Sequence, residues 1–158
     1  MIEIQITKGQ TALIDDDDYE KISPFQWCCH GDGYAARGYH ENGKLVILKM
    51  HHAVFGKPPA GYVVDHINGN RLDNRKCNLR MVTIQQNAFN SKKKEVPHKT
   101  SVYKGVWWRK ERNKWVAYIT CNGKRTYLGL FVDEKDAARA YNAAALKYHG
   151  EYAKLNEI

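Results

Sequence analysis

The fold is decided by one stretch, residues 62–87, which reads YVVDHINGNRLDNRKCNLRMVTIQQN. Its first residues are aromatic and β-branched, which favours a strand at residues 62–64. The Asn-Gly-Asn sequence that follows predicts a tight turn, because Asn and Gly tolerate left-handed backbone. A second strand is predicted over residues 78–82, and a helix over residues 84–90 with Thr83 as its N-cap. The stretch therefore predicts a ββα unit.

An acid and a histidine stand side by side where the first predicted strand should end. Adjacent side chains on a strand point to opposite faces, so we expect the strand to stop here and let Asp65 and His66 face one pocket. A carboxylate and an amide oxygen are hard donors that suit magnesium. A neutral histidine accepts a proton from water near neutral pH, and a divalent ion offsets charge on a phosphate. The combination favours phosphodiester hydrolysis.

A zinc site is the chemical alternative, with ligands from His51, His52, His66 and Cys77. These residues lack the paired spacing, such as C-x-x-C, that is typical of zinc sites. We therefore expect no zinc in this protein.

A long, gapped motif lies between residues 45 and 91. Its parts are Met50-His51, Val54-Phe55-Gly56, Asp65-His66-Ile67-Asn68-Gly69, Asp73-Asn74-Arg75, Asn78-Leu79-Arg80 and Asn87. This motif resembles that of the HNH nucleases, in particular the phage and intron-encoded homing endonucleases.

The resemblance implies roles for particular side chains. His66 would be the general base, and Asn78 would brace the loop and orient His66. Asp65 and Asn87 would hold one divalent ion, Mg²⁺ or Mn²⁺, per active site. The family often has a histidine where Asn87 stands, and asparagine at this place also occurs in the homing branch.

The composition fits a globular protein of one medium or two small domains. The chain has 158 residues, of which 43% are hydrophobic and 27% charged. No run approaches the ~20 apolar residues of a membrane span, and we expect no signal peptide, since residues 1–6 alternate polar and apolar. The four cysteines are expected to be reduced thiols. We expect the protein in the cytoplasm of a bacterial host or a phage-infected cell, with no membrane partner.

The net charge of +8 is unevenly distributed. Residues 1–91 hold ten Lys or Arg and ten Asp or Glu, whereas residues 92–158 hold fifteen and seven. A basic half beside a neutral half suggests that the basic half binds a polyanion and the neutral half cuts it. The alternative is that the excess charge is ordinary surface lysine. The basic linker at residues 92–101 is expected to be a disordered tether, an arm that lies along DNA through Lys92, Lys93 and Lys94, or both.

The N-terminal part is predicted to be mostly strand. The acidic run at residues 15–18 is expected to cap a short helix at residues 19–22, with a metal site as the alternative. The other predicted elements are strands at residues 3–6, 11–14, 26–30, 34–39 and 44–48, and a helix at residues 49–55.

The C-terminal part is predicted to be three strands and a helix. The strands cover residues 103–109, 114–120 and 124–130, and the helix covers residues 133–149. Asp133 is its expected N-cap, with Asp136 in the capping-box position and Gly150 as the stop signal.

This C-terminal part also carries a specific set of motifs: Tyr103-Lys104-Gly105-Val106, Lys114-Trp115-Val116-Ala117, Tyr127-Leu128-Gly129-Leu130-Phe131, Asp136 to Asn142, and Leu155-Asn156. It resembles the DNA-binding domain of plant ethylene-response factors, the Apetala-type or AP-two domain, in which the sheet lies in the major groove. The implied DNA contacts are Lys104, Trp107, Arg109, Tyr118, Thr120, Arg125 and Tyr127. Trp107, Tyr118 and Thr120 replace charged residues, so the plant target sequence is not expected. The alternative is that the aromatic residues only stabilise a small sheet.

The sequence thus predicts an α+β protein. An N-terminal ββα-metal (HNH) nuclease domain with a small β-meander covers residues 1–91, a basic linker covers 92–101, and a sheet-on-helix DNA reader covers 102–158. The resemblance to HNH homing endonucleases implies a site-specific, homing-type endonuclease, and we expect it to act as a monomer on double-stranded DNA. One HNH centre per chain suggests a nick per binding event. A non-catalytic DNA-binding regulator is the alternative.

Overall fold

The computed structural model describes residues 1–93 and 100–158, and it divides into two compact units, Met1–Ile84 and Gln85–Ile158. Both units mix strands with helices, which confirms the predicted α+β class. Lys94 and most of the predicted linker lie outside the described residues. Within the described residues, every helix is too short or too polar to cross a membrane. All four cysteines are free thiols.

The first unit is built from small antiparallel sheets joined by short helices. Its elements are β1 (Ile2–Ile6), β2 (Gln10–Ile14), α1 (Tyr19–Ile22), β3 (Cys28–Cys29), β4 (Ala35–Glu41), β5 (Lys44–Lys49), α2 (Met50–Phe55), β6 (Tyr62–His66) and β7 (Leu79–Thr83). The pairs β1–β2 and β6–β7 are hairpin-like, and β3, β4 and β5 form a sheet in that order. The helix α3 (Ile84–Asn90) follows β7 directly, so the predicted ββα order is observed.

One apolar core supports the first unit. Its buried members include Ile4, Ile6, Ala12, Ile14, Ile22, Trp27, Met50, Val64 and Leu79. The indole N–H of Trp27 donates to the carbonyl oxygen of Ile22 at 2.9 Å, which satisfies its polar group inside the core. The core therefore reaches from the N-terminal hairpin to β6 and β7, and it holds those two strands in place.

The acidic run does not cap a helix through its side chains, which corrects that prediction. Asp16–Asp18 form a 3-10 turn before α1. The N-cap residues of the turn and of α1 are Asp15 and Asp18, and neither side chain makes a capping hydrogen bond. The carboxylates of Asp17 and Asp18 instead pair with the ammonium of Lys76, at 2.6 and 3.0 Å. Asp15 accepts from the backbone N–H of the same lysine at 2.7 Å. The run therefore ties the N-terminal region to the loop before β7.

In the second unit, the described residues after α3 form a three-stranded antiparallel sheet packed on one helix. The strands are β8 (Val106–Arg109), β9 (Lys114–Cys121) and β10 (Lys124–Phe131), in the order β10-β9-β8, and the helix is α4 (Glu134–His149). Small residues on α4, including Ala137, Ala138 and Ala145, are buried against the sheet. The partly buried side chain of Trp115 packs against this cluster.

The start of α4 forms one of its two predicted caps. Asp133 accepts hydrogen bonds from the backbone N–H groups of Lys135 and Asp136, at 2.7 and 3.2 Å, so it is the N-cap. Asp136 does not make the reciprocal capping-box bond, in which its side chain would accept from the backbone N–H of Asp133. Its carboxylate instead accepts from Arg139 one turn later, at 2.5 Å. The helix ends at Gly150, which has a positive φ of 56°.

Candidate functional site

The hairpin of β6 and β7 positions the acid and the histidine. The two strands pair antiparallel, with Asp65 opposite Arg80 and His66 opposite Leu79. The strand β6 ends at His66, and both Asp65 and His66 are buried, with 6% and 4% of their surface exposed. Burial of two ionisable side chains at a strand end needs specific polar partners, because unpaired buried charge is costly.

Arg80 is one such partner of Asp65. The Nε and Nη2 atoms of Arg80 both lie 3.0 Å from Oδ2 of Asp65, so the guanidinium grips the carboxylate across the hairpin. This ion pair fixes the direction of the carboxylate at the strand end.

Asn74 is a buried partner of His66 that the sequence did not single out. Its Oδ1 lies 3.2 Å from Nε2 of His66. Its amide nitrogen donates to the carbonyl oxygen of Leu72 at 3.2 Å and to Sδ of Met50 at 3.3 Å, which orients the amide with its oxygen toward the imidazole. Nε2 of His66 must then carry the proton, and Nδ1 is the basic nitrogen of the neutral ring.

Burial lowers the pKa of His66 below its usual 6.5, although the hydrogen bond to Asn74 and the charges of Asp65 and Asp73 oppose the shift. The ring of His51 lies 5.1 Å from that of His66, edge-on, and the ring of Tyr34 lies 5.7 Å away. Burial also lowers the pKa of His51, to about 3. The imidazole of His66 therefore sits among uncharged rings and is neutral at neutral pH.

Asn78 lies at the base of the loop between β6 and β7. Its Oδ1 accepts from the backbone N–H of Asn68 at 3.0 Å, and its Nδ2 donates to the carbonyl oxygen of Asp73 at 2.8 Å. Asp73 in turn accepts from Arg75 at 2.7 Å and from Asn68 at 2.9 Å. Asn78 thus joins the two sides of the loop, and Asn74 contributes an amide contact to the His66 ring.

We expect Asn74→Ala to reduce the rate of DNA cleavage by about tenfold or more, because the proton on His66 would no longer be held on Nε2. Single-turnover cleavage measures the effect, and circular dichroism checks the fold. Asn70→Ala controls for the integrity of the loop, since the side chain of Asn70 accepts from the backbone N–H of Leu72 at 3.1 Å. Equal rates for the two variants would show that Asn74 does not orient His66.

The expected metal ligands have suitable donor chemistry. Asp65 offers a carboxylate, and Asn87, which is half-buried on α3, offers an amide oxygen. Hard oxygen donors of this kind fit a divalent ion such as Mg²⁺. In the described part of the chain, three ligand atoms approach within 4.8 Å of one another at Asp15, Asp17 and Asp18. That group already binds Lys76, and the described side chains of the zinc alternative do not form a comparable group.

One face of the second unit's sheet, beside Gln85, Ala88 and Phe89 of α3, brings together several of the residues that the sequence assigned to DNA. The rings of Trp107 and Tyr118 stack at 4.7 Å and 3°. The guanidinium of Arg125 lies over both rings, 4.4 and 4.2 Å from their centroids, and Tyr127 contacts Tyr118 edge-on at 5.3 Å. Thr120 pairs with Arg125 in the sheet register. A guanidinium held on aromatic rings next to exposed sheet is a suitable group for reading a base edge.

The remaining cations have different surroundings. Arg109 is half-exposed and lies 3.8 Å from Glu111, and Lys92 is exposed. The ammonium groups of Lys93 and Lys104 are instead surrounded by backbone carbonyl oxygens of the second unit. Burial lowers the pKa of Lys104 to about 8, so at neutral pH it remains mainly protonated. No sequence pattern indicates these internal contacts.

Comparison with known proteins supports both the HNH resemblance and the AP-two resemblance. The sequence model of the HNH endonuclease family matches residues 45–89, and that of the AP2 domain matches residues 101–151. No solved structure matches the chain.

Three relatives span different parts of the chain. An uncharacterised HNH endonuclease of Acanthamoeba polyphaga mimivirus is 32% identical over 154 residues, which cover 96% of this chain and 77% of the relative. Protein 3.8 of Escherichia phage T7 is 37% identical over 78 residues, 49% of this chain and 63% of that protein. An AP2-like ethylene-responsive transcription factor of Arabidopsis thaliana is 41% identical over 60 residues, 38% of this chain and 12% of the factor.

The hairpin-and-helix motif with its acid, histidine and asparagines is that of a nuclease. The chain belongs to the HNH endonuclease family, and it joins an HNH endonuclease domain to an AP2 domain. It is therefore an enzyme that acts on DNA, with both domains of DNA-binding type, and its HNH domain belongs to a class that generally depends on a divalent metal.

Proposed function

We propose that this protein is a site-specific, homing-type endonuclease that nicks one strand of double-stranded DNA. In this proposal residues 1–91 cut, residues 102–158 read the sequence, and residues 92–101 connect them. It acts as a monomer, in the cytoplasm of a bacterial host or a phage-infected cell. The observation that carries the catalytic part is the hydrogen bond between Nε2 of His66 and Asn74, together with the burial that keeps the ring neutral.

The chemistry assigns His66 as the general base. Nδ1 of its neutral ring takes a proton from the attacking water, and Asn74 receives the hydrogen bond of Nε2 throughout. Arg80 orients the carboxylate of Asp65, and Asn78 holds the loop between the strands. A single Mg²⁺ or Mn²⁺ ion, held by Asp65 and Asn87, would offset charge on the phosphate and on the leaving oxygen.

The pH profile tests the assignment of the base. Because the pKa of His66 is lowered from 6.5 in the folded protein, the neutral form persists below that pH. The cleavage rate should stay level from about pH 8 to about pH 6.5 and fall only in more acidic solution, as the ring gains a proton. Single-turnover rates at saturating DNA measure this. A rate that stays level down to about pH 4.5, or that already falls above pH 7, would contradict His66 as the base.

The proposed DNA-contact surface is the face of the AP2 sheet that carries Trp107, Tyr118 and Arg125. Its contacts to DNA are Trp107, Arg109, Tyr118, Thr120, Arg125 and Tyr127, with Lys92 and Lys94 on phosphates. The support is the stacked arrangement of Trp107, Tyr118 and Arg125, which presents a cation on a rigid aromatic base. This surface raises the local concentration of the nuclease at its site.

Arg125→Ala should cost about 1–3 kcal/mol of discrimination between the target and unrelated DNA, since a guanidinium that grips a guanine edge supplies that much. Competition binding between selected and random duplexes measures it. Arg139→Ala is the control, because Arg139 is exposed on α4, which packs on the sheet's other face. If both variants discriminate as well as the wild type, Arg125 does not read a base.

A further inference from the structure

The carboxyl end of α3 is held by a lysine from the AP2 sequence. The ammonium of Lys104 donates to the carbonyl oxygens of Ala88, Phe89 and Ser91, at 3.3, 2.7 and 2.8 Å. The last carbonyls of a helix have no partner within the helix, and a cation there is favourable because of the helix dipole. Lys104 therefore acts as an external cap for α3.

A second lysine makes the reverse connection. Lys93, just after α3, donates to the carbonyl oxygens of Ser101, Tyr103 and Val106, at 2.8, 2.8 and 3.0 Å. Lys93 and Lys104 thus form a lysine clasp, in which each ammonium binds carbonyls of the other's segment. An ammonium has three N–H donors. Three carbonyl partners use all of them, so neither lysine keeps a donor for a phosphate or a base edge.

Aromatic and backbone contacts extend the clasp. The ring of Phe89 on α3 stacks on that of His149 at 3.8 Å and 8°, and Phe89 also accepts from the backbone N–H of Lys154 at 3.2 Å. The backbone of Lys104 is itself fixed by the side chain of Asn156, through bonds of 2.6 and 3.1 Å. The end of α3 is therefore packed on the AP2 domain and not only connected to it by the chain.

The helix held in this way carries a residue of the HNH motif. Asn87 lies within the last turn of α3, immediately before the capped carbonyls of Ala88 and Phe89. We propose that Lys93 and Lys104 are positioning residues that fix the Asn87 helix to the AP2 domain, so that the DNA reader sets the placement of a metal ligand. The proposal rests on the proposed function in that it takes Asn87 as a ligand.

Hydrogen–deuterium exchange of the full chain tests the clasp without requiring cleavage. In Lys104→Met and in Lys93→Met, the peptide covering residues 84–91 should exchange at least tenfold faster than in the wild type. Lys135→Met is the matched control, since Lys135 is exposed on α4, and it should leave that peptide unchanged. Unchanged exchange in both clasp variants would overturn the proposal.

Binding and cleavage of duplex DNA then separate positioning from DNA contact. For each clasp variant we expect the dissociation constant without metal to stay within twofold of wild type, with the same salt dependence. The single-turnover rate at saturating DNA should fall at least tenfold, and more Mn²⁺ should be needed for half-maximal rate. Weaker binding with a salt slope reduced by about one, at an unchanged saturating rate, would show DNA-contacting lysines and overturn the proposal.

A wild-type protein that cleaves no DNA with Mg²⁺ or Mn²⁺ would have a different meaning. It would reject the proposed function and, with it, the link to a metal ligand. The exchange measurement would still decide whether the lysines hold α3, so the two failures are distinguishable.

Discussion

His66→Ala is expected to lower the rate of DNA cleavage by about 10²- to 10⁴-fold while DNA binding stays at the wild-type level, since a general base, the role we propose for His66, contributes this much. The imidazole is buried at the end of β6, and Asn74 holds its proton on Nε2. The neighbouring ring of His51 is a poor replacement, because burial lowers the pKa of His51 to about 3.

Single-turnover cleavage of plasmid DNA, with binding measured in chelator, separates the two effects. His40→Ala is the matched control, because His40 is an exposed histidine on β4. Asp65→Asn should also lose activity, since it keeps the shape of the side chain but removes the charge that Arg80 and the ion would share. A His66→Ala protein that cuts within tenfold of the wild-type rate would remove His66 from the mechanism.

Gly105→Ala is expected to destabilise the second unit by about 3 kcal/mol or more. Gly105 has a φ of +75°, which is unfavourable for alanine, and an added Cβ would overlap the ring of Tyr141 and lie 2.6 Å from the carbonyl oxygen of Tyr118. Overpacking in a filled core costs about 1–3 kcal/mol, and the left-handed backbone adds about 1–2 kcal/mol. Denaturant unfolding, followed by the fluorescence of the tryptophans in β8 and β9, measures the loss.

Gly123→Ala separates the cost of a left-handed backbone from the cost of steric overlap. Gly123 has nearly the same φ, +72°, but no atom lies within 4 Å of its added Cβ. It should therefore lose only the backbone contribution, about 1–2 kcal/mol. Equal losses at the two positions would show that the contact between Gly105 and Tyr141 does not support the AP2 fold.

The sequence predicts the main elements of this protein because their signals are local. The strand and helix of residues 62–90 follow from β-branched residues, an Asn-Gly turn and the residues that precede the helix. Asp133 is found as an N-cap for the same reason. Asp136 does not form the predicted capping-box bond, because Arg139 one turn away competes for its carboxylate.

Contacts that depend on the folded chain escape this reasoning. Asn74 meets His66 only after the loop closes, and no spacing rule identifies it. The sequence predicts that the acidic run caps a helix, because its observed partner, Lys76, is about 60 residues away and no local pattern identifies it. The same holds for Lys93 and Lys104, whose charge indicates DNA in the sequence and whose surroundings in the fold are carbonyl oxygens.

The activity proposed for this chain is cleavage of DNA at a chosen site by one HNH centre. Cleavage mapping of the wild-type protein on an end-labelled duplex library, with Mg²⁺ or Mn²⁺, tests it most directly. We predict a single nick, on one strand, at one recurring sequence, and no product with chelator. Absence of any product with either ion, or cuts spread over all sequences in the library, would contradict the account.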